Sequence, residues 1–222
     1  MKRLCLSAIL LTVSPAIMAQ TPLESLHAAT PIDSAIYTYD LQIDDGDMRV
    51  TASVDPSAPM GDRLTIHSPA PDTWSKDFAK YVKSMQENTK GNIWCQQFVE
   101  MVPSTAKLVS ETDTTARYTF QPLPRPDDKG NMKKVLKHLT GRMTIDKTNN
   151  AVKSFEMEAA KPFKPMIAAK ITQFKMRTNC TPAPNGQMRI ETVETFIEGK
   201  AMTRSFIEAE TQTISNLKRV AD

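Results

Sequence analysis

Histidine is scarce in this 222-residue chain, and the motifs of common enzyme active sites are missing. The three histidines, His27, His67 and His138, stand in unrelated settings, and no Gly-x-Ser-x-Gly, His-Glu-x-x-His or paired-cysteine metal spacing occurs. The acidic turn Asp44–Asp47 lacks the twelve-residue loop and terminal glutamate of an EF-hand calcium site, and a hairpin turn is the stronger interpretation. We therefore expect a protein that is not an enzyme and has no catalytic residues, metal site or cofactor.

Long apolar runs and a strong excess of one charge are also missing. No stretch beyond the first 19 residues approaches the ~20 apolar residues of a membrane-spanning helix. The chain carries 28 Lys and Arg against 25 Asp and Glu, which does not supply the concentrated basic face of a nucleic-acid-binding protein. We expect a soluble monomer without a transmembrane segment that does not bind nucleic acid.

The first 19 residues have the layout of a secretory signal peptide. Lys2 and Arg3 precede an apolar core, Leu4–Val13, and small residues follow up to Ala19. We expect cleavage after Ala19, export to the periplasm, and one domain formed by residues 20–222. Cys5 lies within this leader, so it cannot serve as a lipid attachment site after cleavage.

Two of the three cysteines, Cys95 and Cys180, remain after removal of the leader. An even pair in an exported chain is expected to form a disulfide, although two free buried thiols are the alternative. Such a bridge closes a loop of about 85 residues, which the chain-entropy model values at ~4 kcal/mol.

The first two thirds of the chain alternate between short strands and helices. Thr21, Pro22 and Glu24 form a helix-start signature. Periodicity then predicts, in order, the strands Ala35–Ile43, Met48–Val54 and Leu64–His67, the helix Ser75–Asn88, the strands Lys107–Ser110 and Ala116–Gln121, and the helix Met132–Leu139. The pattern leaves Ile93–Val99 open between a strand and a short helix.

The pattern of the last third predicts a meander of long antiparallel strands. The predicted strands are Arg142–Asp146, Ala151–Ala159, Met166–Arg177, Met188–Ile197 and Ala201–Ile214, with a turn at Glu198-Gly199-Lys200 before the last one. Within Ala151–Ala159, alternation places Lys153, Phe155 and Met157 on one face and Ser154, Glu156 and Glu158 on the other.

Two of these strands change the phase of their apolar residues. Ile167, Ala169 and Ile171 are followed by Phe174 and Met176, and Met188 and Ile190 are followed by Val193 and Ile197. Such a change requires a bulge or a sharp coil. We expect a bent sheet with apolar side chains on both faces.

This succession of helices, hairpins and long strands resembles the LolA/LolB-like periplasmic lipoprotein carrier superfamily. The resemblance implies an α+β fold, mostly antiparallel, with a strongly curved sheet or incomplete barrel and about three helices packed on it. It also implies an apolar cavity for a lipid or acyl chain. Arg63 is the nearest counterpart of the arginine in that family's functional segment.

Methionines and aromatic residues of the meander are the candidate ligand-binding side chains. They are Phe155, Met157, Met166, Phe174, Met176 and Met188. Flexible thioethers suit acyl chains of variable shape, but methionine is also a common filler of protein cores. The expected function is binding of a lipid or an acylated polypeptide. The alternative is a periplasmic module with a filled core that binds another envelope protein or senses envelope stress.

Overall fold

The computed structural model describes residues 20–29, 36–126 and 130–220, and the predicted signal peptide lies outside them. Two 3-10 helices, Pro71–Thr73 and Cys95–Met101, occur among the described residues. The other elements are α1 (Pro22–Ala28), β1 (Tyr37–Asp44), β2 (Arg49–Val54), β3 (Leu64–Ser68), α2 (Lys76–Asn88), β4 (Lys107–Glu111), β5 (Thr115–Phe120), α3 (Gly130–Leu136), β6 (Leu139–Asp146), β7 (Ala151–Ala159), β8 (Phe163–Met166), β9 (Ala169–Pro182), β10 (Met188–Ala201) and β11 (Arg204–Arg219).

One antiparallel sheet contains all eleven of these strands. Its order is β3-β2-β1-β11-β10-β9-β7-β6-β5-β4, and β8 pairs with β9 beside this path. The last strand, β11, therefore joins the amino-terminal strands to the meander. In the described part of the chain β3 and β4 are the two edges, and the sheet is not closed into a barrel. The predicted class, a mostly antiparallel sheet with helices, is confirmed.

Side-chain caps fix the starts of the first two α-helices, and the cap of α1 is the one that the sequence predicts. At α1, the Thr21 hydroxyl accepts a hydrogen bond from the Glu24 backbone N–H, and the Glu24 carboxylate accepts one from the Thr21 N–H. At α2, the Ser75 hydroxyl accepts from the N–H of Phe78. Phe78 and Val82 of α2 are buried in a cluster with Ile43 and Val50 of the sheet, as their spacing predicts.

The predicted changes of phase occur through bulges, but the expectation of two apolar faces is wrong. In the pairing of β9 with β10, Gln173 lies opposite Glu198 and Ile171 lies opposite Gly199, so Thr172 is an extra residue. The same pairing leaves Glu191 extra between Ile190 and Thr192. One inserted residue restores the alternation. Ile171 therefore shares a face with Phe174.

The same reasoning applies to β10 and corrects the pattern expected in β7. Ile190 joins Val193 on one face of β10 across the extra Glu191. In β7 the register with β6 shifts between the pairs Thr144–Ser154 and Ile145–Val152. Val152 is consequently buried with Phe155, whereas Lys153 is exposed instead of lying on the apolar face as expected. These bulges collect the apolar side chains on a single covered face.

Two turns differ from their predicted positions. Met166 ends β8 and lies opposite Ala169, so Ile167 and Ala168 form a turn inside the segment predicted as one strand. The last hairpin turns at Met202 and Thr203, because Ala201 pairs with Arg204. Gly199 lies within β10, where a Cβ atom would approach Lys170 O to 2.6 Å, so its glycine permits close contact instead of a turn.

The third α-helix is shorter than its pattern predicts. α3 ends at Leu136, and Leu139 begins β6. Leu136 is buried in the main core, but Met132 is exposed, so the predicted apolar stripe packs only through its carboxy-terminal part. The Gln121 side-chain amide donates to the carbonyl oxygens of Leu136 and Leu139, which satisfies acceptors where the helix ends.

The main core lies between the apolar face of the sheet and the 3-10 helix Cys95–Met101. The Phe155 ring is fully buried, stacks on Phe98 with centroids 4.6 Å apart, and contacts Phe120 at 6.0 Å. The predicted disulfide between Cys95 and Cys180 is present, with Cα atoms 6.4 Å apart. It links the start of this 3-10 helix to β9, so the segment that the sequence left undecided is held against the sheet.

Candidate ligand-binding site

A space of about 680 Å³, here called the inner cleft, lies against the apolar face of the sheet. Its floor comes from three neighbouring strands and consists of Tyr39, Leu41, Ile190, Val193, Gln212 and Ile214. Leu41 lies opposite Ile214, and Val193 lies opposite Gln212, so these side chains form one continuous surface. The floor is therefore mostly apolar, with a single carboxamide in its middle.

The opposite wall of the inner cleft is polar. It is formed by residues 88–92 at the end of α2, by Gln97 and Glu100 of the 3-10 helix, and by Arg125 and Pro126 after β5. Lys90 and Arg125 bring positive charge to this wall, and Glu100 brings negative charge. An apolar floor facing a polar wall with two cations and one anion suits an amphiphilic molecule better than a wholly apolar or wholly polar one.

The turn between β2 and β3 holds this wall in place. Arg63 donates from Nη1 to the carbonyl oxygen of Lys90 and from Nε to that of Ala58, both at 2.9 Å. Gly91 has a φ of +77°, and a Cβ atom there would lie 2.6 Å from Pro56 Cγ. Only glycine fits this position without strain or displacement. Arg63 and Pro56 thus support the wall, and neither lines the cleft.

One end of the cleft is fixed by contacts between the sheet and the two residues that precede the 3-10 helix. The N–H of Ile190 donates to the carbonyl oxygen of Ile93 at 2.7 Å, and Trp94 forms a bridge with Arg189. Arg189 Nη1 donates to the carbonyl oxygens of Ile190 and Ile214, both at 2.9 Å. Together with the disulfide, these bonds keep the floor and the wall at a set distance.

Burial changes the acidity of two groups at this end. It raises the pKa of the Tyr39 phenol to about 12, because the phenolate would lose its solvation. Burial also lowers the pKa of Arg189 from its ordinary value, because the charged guanidinium loses solvation. Tyr39 is therefore a neutral hydrogen-bonding group over the whole physiological range.

The opposite face of the sheet carries a second space, of about 760 Å³, here called the polar-face groove. Side chains from β6, β7, β9, β10, β11 and β1 line it, and most of them are charged. Phe196 is an exception, since it lies on this face opposite Lys175 and Ala209. The groove therefore combines one aromatic ring with many ionic groups.

Oppositely charged side chains on neighbouring strands pair with one another in this groove. Arg142 pairs with Glu158 at 3.0 Å, Arg117 pairs with Glu156 at 3.2 Å, and Arg177 Nε lies 4.0 Å from Glu156. These pairs are partly exposed, so each contributes little to stability. Because they already satisfy one another, the groove is less suited to an acyl chain than the inner cleft is.

The structure brings four of the six predicted ligand-binding residues together, but in the packed core and not at the inner cleft. Met157 lies opposite Met176, and Phe155 and Phe174 lie on the same face of β7 and β9. Phe155 and Met157 are buried, Phe174 and Met176 are half-buried at the margin of the core, and both methionines also border the polar-face groove. The other two lie elsewhere: Met188 borders a small pocket of about 210 Å³, and Met166 is exposed at the end of β8. None of the six lines the inner cleft.

The sequence predicts most residues of the cleft floor as apolar strand positions, but nothing in the sequence marks them as a binding site. Tyr39 and Leu41 belong to the alternating pattern of β1, and Ile190 and Val193 to that of β10. The wall, residues 88–92, carries no motif, and only its position over the sheet shows its role.

The structure also bears on metals and membranes within its described ranges. Among residues 20–29, 36–126 and 130–220, no group of three or more His, Cys, Asp or Glu side chains could hold a metal ion. No helix in that part of the chain is long and apolar enough to cross a membrane.

No family model, no curated protein sequence and no solved structure matches this chain.

Proposed function

We propose that this protein is an exported, non-enzymatic binding protein of the cell envelope that holds a lipid or an acylated polypeptide in the inner cleft. In this proposal the eleven-stranded sheet bends around the ligand as an incomplete barrel, as in LolA/LolB-like carriers. The single observation that supports it best is the space of about 680 Å³ over the apolar floor, where a scaffold with a filled core would have packed side chains.

The size of the cleft fits this proposal. Ligand sites for small molecules typically occupy about 300–1,000 Å³ and are mostly apolar with a few polar groups. Acyl carbons would contact Leu41, Val193 and Ile214, and a polar or anionic headgroup would lie near Lys90 and Arg125. This orientation places each part of an amphiphile against surface of its own kind.

A fluorescent fatty acid, cis-parinaric acid, provides the test. Val193→Phe extends a ring into the cleft from its floor, and we expect the dissociation constant for the probe to rise at least tenfold. Val109→Phe is the matched control, because Val109 is 60% exposed on the edge strand β4, away from the cleft. Both variants should keep the unfolding free energy of the wild type within about 1 kcal/mol.

Two results would contradict the proposal. The first is a wild-type protein that fails to bind the probe at micromolar concentration, and the second is equal binding by the Val193→Phe and Val109→Phe variants. The methyl ester of the probe keeps the acyl chain and removes the negative charge. Weaker binding of the ester than of the acid would assign part of the affinity to the cations of the wall. Mass spectrometry of lipid bound to the native protein identifies the natural ligand.

The second candidate function is an interaction module that uses the polar-face groove, and one observation favours it. Phe196 is half-buried among charged side chains on the face opposite the core, where an aromatic ring serves no packing role in the interior. An extended polypeptide with an apolar residue between charged ones would match this surface. A photo-crosslinking residue at Phe196 tests this in intact cells, with the same residue at Val109 as the control.

A further inference from the structure

Three large apolar side chains are exposed together at one end of the sheet. Met166 and Ile167 stand at the turn between β8 and β9, and Met202 stands at the turn between β10 and β11, with exposed fractions of 56%, 102% and 84%. The N–H of Met202 donates to the carbonyl oxygen of Ala168 at 2.7 Å, so the two turns touch. We call these three residues the tip patch.

Basic side chains lie on or next to the strands that lead to the tip patch and away from it. All five are exposed: Lys161, Lys164, Lys170, Lys200 and Arg204. The sequence contains no Asp or Glu from residue 159 to residue 190 or from residue 199 to residue 207. The five basic side chains therefore have carboxylates only at the borders of these segments, such as Glu198 and Glu208, although the chain as a whole is close to neutral.

Two of these lysines face each other directly across the sheet. Lys170 of β9 lies opposite Lys200 of β10, next to the pair Ala169 and Ala201. Like charges in this position destabilise a sheet. An anionic partner at the tip would relieve this repulsion. The pairing of the two lysines therefore indicates a negatively charged partner.

We propose that the tip patch docks the protein on an anionic lipid bilayer. Ile167, Met166 and Met202 would enter the boundary between headgroups and acyl chains, and the nearby lysines and Arg204 would contact phosphate groups. Apolar tips with a basic rim match both layers of such a surface, whereas a wholly apolar partner would leave the basic rim unmatched. Long lysine side chains can extend along the interface while their charges stay in water.

This docking site does not depend on the inner cleft. Ile190 in the floor of the cleft and Ala201 beside the tip patch belong to the same strand, and an extended spacing of about 3.3 Å per residue separates them by roughly 35 Å. A failure of vesicle binding and a failure of acyl-probe binding are therefore distinguishable results.

Sedimentation with vesicles tests the proposal. The purified protein is mixed with vesicles of pure phosphatidylcholine and with vesicles that contain 30% phosphatidylglycerol. We expect binding to the anionic vesicles only, at least tenfold weaker for Ile167→Asp and for Met202→Asp. Val109→Asp makes the same change at an exposed apolar residue elsewhere and should bind as the wild type does.

A separate pair of double variants tests the contribution of the basic side chains near the tip patch. Lys170→Gln with Lys200→Gln should weaken binding at least fivefold, and Lys107→Gln with Lys218→Gln should not, since those lysines are exposed far from the tip patch. Salt should weaken binding of the wild type by screening the charges.

A tryptophan placed in the patch reports insertion directly. Ile167→Trp should show a blue shift of its emission on addition of anionic vesicles, and Val109→Trp should show none. Absence of binding to anionic vesicles, or equal binding by Ile167→Asp and Val109→Asp, would overturn the proposal. Binding that is independent of phosphatidylglycerol would overturn it as well.

Discussion

Ile171 and Phe174 lie on the same face of β9 although they are three residues apart in the chain. Thr172 is the extra residue between them, and its hydroxyl donates to the carbonyl oxygen of Glu198 at 3.0 Å. The bulge thus places both apolar side chains against the core and leaves Gln173 exposed on the other face.

Deletion of Thr172 should therefore keep the register, because Ile171 would then stand two residues before Phe174 in a regular strand and stay on its face. Its main cost should be the lost hydrogen bond, worth about 0.5–1.5 kcal/mol. Deletion of Lys175 is the contrasting variant, since it leaves Phe174 next to Met176 and turns one of them to the polar face, where exposure of an apolar side chain costs about 1.5–3 kcal/mol. Urea unfolding measures both variants, and equal losses of unfolding free energy would show that the bulge does not set the register.

The disulfide gives a second prediction. Unreduced, denatured protein should contain no titratable thiol from Cys95 and Cys180, because the two are bonded. Replacement of both by alanine should lower the unfolding free energy by about 4 kcal/mol, since the cross-link restricts the unfolded chain over a separation of 85 residues. Two reactive thiols in the unreduced protein would disprove the bond.

The third prediction concerns α3. Leu136→Asp should cost several kcal/mol, because Leu136 is 2% exposed and the new carboxylate would have no partner in the core. Lys134→Ala, on the exposed side of the same helix, should change the unfolding free energy by less than about 0.5 kcal/mol. Thermal melting of the two variants checks this, and equal melting temperatures would contradict the observed packing of α3.

The fourth prediction is a loss of stability in alkali. Tyr39 has a pKa of about 12 in the folded protein and an ordinary value of 10.0. The neutral phenol therefore stabilises the fold fully below pH 10, and this contribution disappears as the pH rises towards 12. The difference corresponds to about 3 kcal/mol at most.

Tyr39→Phe removes this ionisation while it keeps the ring. Its unfolding free energy should decline less than that of the wild type between pH 10 and pH 12. Urea titrations at several pH values measure the two slopes, and identical slopes would mean that Tyr39 titrates normally in the folded protein.

Local patterns in the sequence were enough for most elements of the fold. The cap at Thr21, the alternation in β1 and the 3.6-residue period of α2 each depend on neighbours a few residues away, and all three appear as predicted. The pairing of Cys95 with Cys180 followed from their number and from the predicted export.

Other features depend on contacts between distant parts of the chain, and only the tertiary structure decided them. The face on which Ile171 lies is set by its register with β10, and the period of one strand cannot reveal that register. Gly199 resembles a turn residue in the sequence, but its closeness to Lys170 makes it part of a strand.

The inner cleft and the tip patch likewise combine features that the sequence predicts with features that only the tertiary structure shows. Leu41 and Val193 could be recognised as apolar strand positions, yet the cleft exists because residues 88–92 cross over them, held by Arg63 and Pro56 from another turn. The turns that carry Ile167 and Met202 touch because β8 to β11 pair in one register. Periodicity acts over a few residues and so fixed the elements, whereas the surfaces they form together arise from pairing across tens of residues.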